Sequence, residues 1–188
     1  MKNIAIFASG SGTNAQKIME HFASSMEVKV SLVLVNNPEA GVIERAKKFD
    51  VPVVVFNRNQ FSSTDEVVNI LQNHNIDLVV LAGFLWLVPQ NMVDAFPNKI
   101  INIHPALLPN YGGKGMYGDK VHNAVIESGD KESGITIHYV NDKYDEGTII
   151  AQFKCAISST DTPDSLAVNI HKLEHKHFPV VIEKLLLK

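Results

Sequence analysis

Ile4-Ala5-Ile6-Phe7-Ala8-Ser9-Gly10-Ser11-Gly12-Thr13-Asn14-Ala15 carries a continuous apolar run into a glycine turn and then into helical spacing. A short apolar run bounded by glycine reads as a strand buried on both faces. The alternation continues down the chain. Val28 to Val35, Val53 to Val55, Leu78 to Ala82 and Ile100 to Ile103 read as further buried strands. Between them, Ala15 to Ala23, Val42 to Phe49 and a segment opening at Thr64-Asp65-Glu66 and running to His74 carry helical spacing, the last with Thr64 or Ser63 as its cap. This order predicts an α/β, Rossmann-like, mostly parallel sheet with right-handed crossovers and helices on both faces.

After Gly134 the pattern changes. Ile135 to Val140 alternates, a polar turn follows at Asn141 to Gly147, and Thr148 to Ala156 reads as a second strand. The pair is expected to add to the sheet edge with antiparallel pairing in the C-terminal part. From Thr162-Pro163-Asp164 to Leu187 the spacing predicts a helix interrupted or kinked near Pro179. No repeat, low-complexity tract or linker divides the chain, so residues 1–188 are expected to form one domain.

Composition excludes several classes. A formal charge of -3 with scattered Lys and Arg gives no electrostatic footprint for nucleic acid. No window approaches the roughly 20 apolar residues that cross a bilayer, so no membrane partner is expected. The chain passes directly into its first strand without a cleavage-site pattern, which argues against a signal peptide. Cys155 is the only cysteine, and a cytoplasmic protein is the expectation.

In such sheets ligands sit beyond the carboxyl ends of the parallel strands. At the first of these ends, Gly10, Ser11, Gly12, Thr13 and Asn14 lead into a helix start. Glycines let the backbone approach a bound group, and free N–H groups there favour an anion such as phosphate. The stretch also satisfies G-x-G-x-x-A, the dinucleotide fingerprint. That fingerprint expects an acid at the end of the second strand, where this chain has Asn36-Asn37-Pro38. A phosphate site is therefore preferred to NAD. A turn that merely lets helix and strand pack closely is the other reading.

At the fifth strand end, Ile100-Ile101-Asn102-Ile103-His104-Pro105 delivers an amide and an imidazole on the same face, about 7 Å apart. Pro105 biases His104 toward an extended backbone, which fixes the ring's presentation. Asp145 lies in an acid-rich turn, either simply solvated or brought against His104 to orient the ring, favour its protonated form and accept a proton. Phe84-Leu85-Trp86-Leu87-Val88-Pro89 follows the fourth strand and is either core packing or an apolar slot for a flat ring. His138 and His122 are candidates for supporting positions. His171-Lys172-Leu173-Glu174-His175 matches a zinc hydrolase pattern, but catalytic zinc needs a third protein ligand. No metal site is expected.

Four motifs in order resemble one family over nearly the whole chain: Ser9 to Asn14, Leu81-Ala82-Gly83-Phe84, Asn102-Ile103-His104-Pro105 with Leu107-Leu108-Pro109, and Asp142 to Asp145 with Gly147. That family is phosphoribosylglycinamide formyltransferase, a folate-dependent enzyme of purine synthesis. The third motif resembles folate formyltransferases generally. The first, and Glu174-His175 ahead of Phe178-Pro179, are similar to this member. The resemblance implies Asn102, His104 and Asp145 as the catalytic trio. It implies Gly10 to Asn14 for the ribonucleotide phosphate, with Glu174 contacting the same substrate. It also implies Leu85, Trp86, Leu87, Val88, Val140, Asn141 and Asp142 for the pterin of 10-formyltetrahydrofolate, used as co-substrate without a metal. Trp86 stands where relatives often carry arginine. Among formyl-group enzymes, the extra C-terminal domain of the methionyl-tRNA enzyme and the N-terminal domain typical of formyltetrahydrofolate hydrolase have no counterpart in residues 1–188, so neither activity is the expectation. A non-catalytic nucleotide-binding module would explain the glycine loop but not the trio.

Overall fold

The computed structural model describes residues 1–187. Five strands, β1 (Lys2–Ala8), β2 (Val28–Val35), β3 (Val53–Val55), β4 (Leu78–Leu81) and β5 (Ile100–His104), pair in parallel in the order β3-β2-β1-β4-β5. Two antiparallel strands, β6 (Glu132–Tyr139) and β7 (Ile149–Ala156), extend the sheet beyond β5. The expected architecture is therefore present. The chain reverses its direction of travel across the sheet between β1 and β4, the position where loops at strand carboxyl ends diverge and open a crevice.

Period-two alternation divides the core. Ile4, Ile6 and Ala8 pack on one face with buried residues of α1 (Thr13–Phe22), α2 (Val42–Lys47), α6 (Asp119–Ser128) and α7 (Pro163–Leu186). Ala5 and Phe7 pack on the other with residues of α3 (Arg58–Ser62), α4 (Glu66–Asn73) and α5 (Gln90–Ala95). On that second face Phe7, Phe61 and Phe84 meet edge-on or tilted, with Phe84 centroids 5.4 Å from Phe7 and 5.3 Å from Phe61. Trp86 lies above them, and the Arg58 guanidinium sits 4.1 Å from its ring centroid.

Several elements depart from expectation. Helices α3 and α5 have no counterpart in the apolar spacing because each is barely more than a turn. The signal for α3 is local: Asn57 and Gln60 exchange side-chain and backbone hydrogen bonds in a capping box. Helix α4 starts at Glu66 with Asp65 rather than Ser63 or Thr64 at the cap position, although Thr64 Oγ1 accepts the Glu66 N–H at 3.3 Å. Gly134 lies inside β6 rather than before it, paired with Lys154 of β7, and a Cβ there would fall 2.1 Å from the Phe153 carbonyl oxygen. Helix α7 runs unbroken through Pro179, which is buried beside Phe178, Val181 and Ile182. Burial of that face outweighs the one hydrogen bond a proline removes.

Candidate active site

The loop after β1 is shaped by α2. Gly12 has φ 75°, and a Cβ on it would lie 2.4 Å from Val42 Cβ, so the turn brings backbone against side chain at a distance only glycine allows. Arg45 Nε donates to the Ser11 carbonyl at 2.7 Å, and the Val42 N–H donates to the Gly10 carbonyl at 3.2 Å. Helix α1 has no side-chain N-cap, so its first N–H groups face the crevice uncapped. Behind them, Asn14 Nδ2 donates to Glu174 Oε2 at 2.8 Å, which also lies 3.0 Å from His171 Nδ1. Glu174 is only 5% exposed despite its charge. Pairing with Glu174 raises the His171 pKa above its ordinary value. The zinc-like pattern thus places its His171 and Glu174 against each other.

From this loop a cavity of about 630 Å³ extends across the carboxyl ends of β1, β4 and β5. Its wall contains Gly10 to Asn14, Leu85 to Val88, Asn102, His104, Val140, Asp145 and Glu174, all candidates from the sequence. Asn141 and Asp142 fall outside that wall; Asn141 Oδ1 instead accepts the Lys143 N–H at 3.0 Å, and Lys143 and Tyr144 line the cavity. His122 and His138 do line it. The glycine-rich stretch Gly113 to Gly118 supplies a further wall.

Asp145 is where the elements converge. It takes a left-handed backbone, φ 57°, in the turn between β6 and β7. Gly113 donates its N–H to Oδ2 at 3.0 Å, and His104 Nδ1 lies 3.5 Å from the same oxygen. Oδ1 faces Asn102 Nδ2 at 3.5 Å and His138 Nε2 at 3.6 Å. Only the Gly113 contact has ordinary hydrogen-bond length; the others surround the carboxylate at ion-pair distance. His138 is itself fixed, since Nδ1 lies 2.8 Å from the Tyr139 carbonyl, which leaves Nε2 to accept from Asn102 Nδ2 at 3.1 Å. His104 Nε2 lies 2.8 Å from the Tyr111 carbonyl. Asp145 therefore does reach His104, although nothing in the spacing required it.

Burial works against the charge on Asp145. The His138 and His104 rings beside it and the Gly113 N–H bonded to it outweigh that cost, and the carboxyl is held below its ordinary value. For His104 the balance is opposite. Burial lowers its pKa more than Asp145 and the Tyr111 carbonyl raise it, which disfavours the charged ring. The direction runs against the expectation of a protonated imidazole, because a ring 3% exposed loses more hydration than one carboxylate at 3.5 Å returns.

The lowered histidines have a consequence for stability. Burial also lowers His122, His175 and His177, while His171 alone is raised. Below the unfolded histidine value of about 6.5, the unfolded chain binds protons that the four lowered rings refuse until their own pKa values are reached. Stability should fall as pH drops through that window. The His171–Glu174 pair acts the other way, strongest below 6.5 and lost as pH rises, but it is one half-exposed ring against four. Urea midpoints measured between pH 7.5 and 5 should decline toward acid; a flat or rising profile would contradict the assignment.

A sequence profile described as "Formyl transferase" matches residues 2–182. The chain belongs to the formyl transferase family. This formyl transferase is 44% identical over 187 residues to the chloroplastic phosphoribosylglycinamide formyltransferase of Arabidopsis thaliana, covering 96% of the chain and 64% of that relative. It thus spans under two thirds of the plant protein's length. It is 37% identical to the Bacillus subtilis (strain 168) phosphoribosylglycinamide formyltransferase, covering 99% of the chain and 95% of that relative. The crystal structure of phosphoribosylglycinamide formyltransferase from Bacillus halodurans superposes on the formyl transferase with a TM-score of 0.88 at 38% identity, covering 100% of this chain and 96% of that one.

Proposed function

We propose that the chain transfers the formyl group of 10-formyltetrahydrofolate to the amine of phosphoribosylglycinamide, a step of purine biosynthesis. The observation that carries this reading is the convergence of Asn102, His104 and Asp145 between an uncapped helix start and an apolar slot. A phosphorylated acceptor suits the first, and a flat pterin suits the second, where Leu85 to Val88 and Val140 line the wall. Asn14 Oδ1 and His122 Nδ1 are buried without a partner among the described residues. Hydroxyl groups of an acceptor's sugar would satisfy such atoms. Glu174, already held by Asn14, adds a second acceptor on that side.

When bound, the folate donor supplies the formyl carbon and departs as the N10 amine. The acceptor nitrogen must be neutral to attack, and attack puts negative charge on the formyl oxygen and positive charge on nitrogen. Asn102 Nδ2, held by His138, is the donor aimed at that oxygen, an effect worth roughly 3 to 4 kcal/mol when well placed. Asp145 accepts the amine proton, directly or through water, and can pass it to His104 Nδ1. The imidazolium so formed stabilises the oxyanion, and its proton returns to the departing N10. His104 thus starts neutral and becomes charged only as charge develops. The whole chain is proposed to act as one domain, in the cytoplasm, without nucleic acid or membrane. No described helix is long and apolar enough to cross a membrane, and a lone cysteine suits a reducing compartment.

Mixing the protein with 10-formyl folate and following folate absorbance, with and without glycinamide ribonucleotide, tests this directly. Acceptor-dependent transfer is expected; donor turnover without acceptor would make the protein a hydrolase, and no turnover would overturn the reading. Thr13→Ala and Asn14→Ala should raise KM for the ribonucleotide by about tenfold while kcat changes little, since their part is binding. An unchanged KM would remove the phosphate assignment.

A further inference from the structure

We propose that Tyr111 is a positioning residue for the reaction: its hydroxyl, anchored on Asp130, holds in place the backbone carbonyl that fixes the tautomer of His104. The inference rests on the proposed role of His104 as proton carrier.

Which imidazole nitrogen carries the proton is set by the partner of the other. A carbonyl can only accept, so the Tyr111 oxygen at 2.8 Å keeps the hydrogen on Nε2. Nδ1 is left with its lone pair toward Asp145 Oδ2 at 3.5 Å and the cavity. Without that carbonyl, the nearby carboxylate would draw the hydrogen to Nδ1 and leave no basic nitrogen facing the reaction.

The carbonyl belongs to a residue whose backbone does not favour this conformation. Tyr111 has φ 57°, uncommon for a bulky aromatic. What holds it is the far end of its ring. The hydroxyl donates to Asp130 Oδ2 at 2.6 Å and lies 2.7 Å from Ser128 Oγ. Asp130 also raises the pKa of the phenol, which is a donor throughout the neutral range. Ser128 Oγ gives its own hydrogen to the Val125 carbonyl at 2.7 Å, so the bond to Asp130 is the tether. Two residues further on, Gly113 donates to Asp145 Oδ2 at 3.0 Å. The anchored loop therefore sets His104 through a carbonyl and Asp145 through an N–H.

Tyr111→Phe removes only the hydroxyl. It should lower kcat about tenfold, with KM for both substrates within about twofold. In ¹⁵N spectra of labelled protein, wild-type His104 should show protonated Nε2 and unprotonated Nδ1, and the variant a mixture. Asp130→Ala should match Tyr111→Phe, the double variant should lose nothing more, and Asp130→Asn, which keeps an oxygen acceptor, should restore both readouts. A variant with wild-type kcat, or one that loses stability or activity while the His104 ¹⁵N pattern stays unchanged, would overturn the proposal. The spectra need no turnover, so failure of acceptor-dependent transfer in the wild type would appear separately, as failure of the proposed reaction.

Discussion

Asp145→Ala should lower kcat by roughly 100- to 10,000-fold while acceptor affinity stays within about threefold. The asymmetry follows from placement. Phosphate and sugar contacts are proposed at the β1 loop and Glu174, whereas Asp145 sits across the cavity on the β6–β7 turn. Its oxygens face His104, with which it exchanges the amine proton in the proposed reaction, and Asn102 and His138, the pair that supplies the oxyanion donor. Its lowered pKa keeps it ionised at neutral pH, so it is ready as an acceptor. Asp145→Asn separates shape from charge: it can keep the Gly113 N–H bond, yet it cannot take a proton. Single-turnover kinetics beside calorimetric titration would make the comparison. Near wild-type turnover in either variant would exclude Asp145 from the proton path, and an equal loss in binding would recast it as a ligand contact.

A methyl group added at Gly147 should cost almost as much without touching any reacting atom. Its Cβ would lie 1.7 Å from the Tyr139 carbonyl oxygen and 2.7 Å from the carbonyl carbon, and backbone atoms cannot step aside as a flexible side chain can. That oxygen is also the partner of His138 Nδ1 at 2.8 Å. Displacing it frees the His138 ring, whose Nε2 positions the Asn102 amide, and opens the turn that carries Asp145. A misplacement near 1 Å at a reacting centre can cost about 100-fold, which is the expected loss in kcat for Gly147→Ala. Overpacking of this kind also destabilises by about 1 to 3 kcal/mol. Urea denaturation and steady-state kinetics read the two effects independently. A variant with normal kcat and reduced stability alone would show that the turn tolerates displacement without moving the trio.

These two residues mark where sequence reading succeeds and where it stops. β2 and β3 fall on the expected residues and β1, β4 and β5 within two of them, because strands buried on both faces are written as unbroken apolar runs. The glycine loop was legible because its backbone demands glycine, and Asn102 with His104 because a strand's period of two puts them on one face. Asp145 was visible only as an acid in a polar turn. Its arrival at His104 depends on the antiparallel return of β6, an irregularity in register at His138 and the left-handed backbone of its own turn. None of these has a local composition. The lowered pKa of His104 was likewise out of reach, since burial is a property of the assembled sheet.

The aromatic group under the β4 loop has an optical consequence. Trp86 is the chain's single tryptophan, and it sits in the cavity wall with Arg58 over its ring and phenylalanines beneath. Emission excited at the indole band therefore comes from one place. A pterin entering that slot should quench it while a ribonucleotide bound at the β1 loop leaves it bright, so the order in which the two substrates bind can be followed in the unlabelled protein.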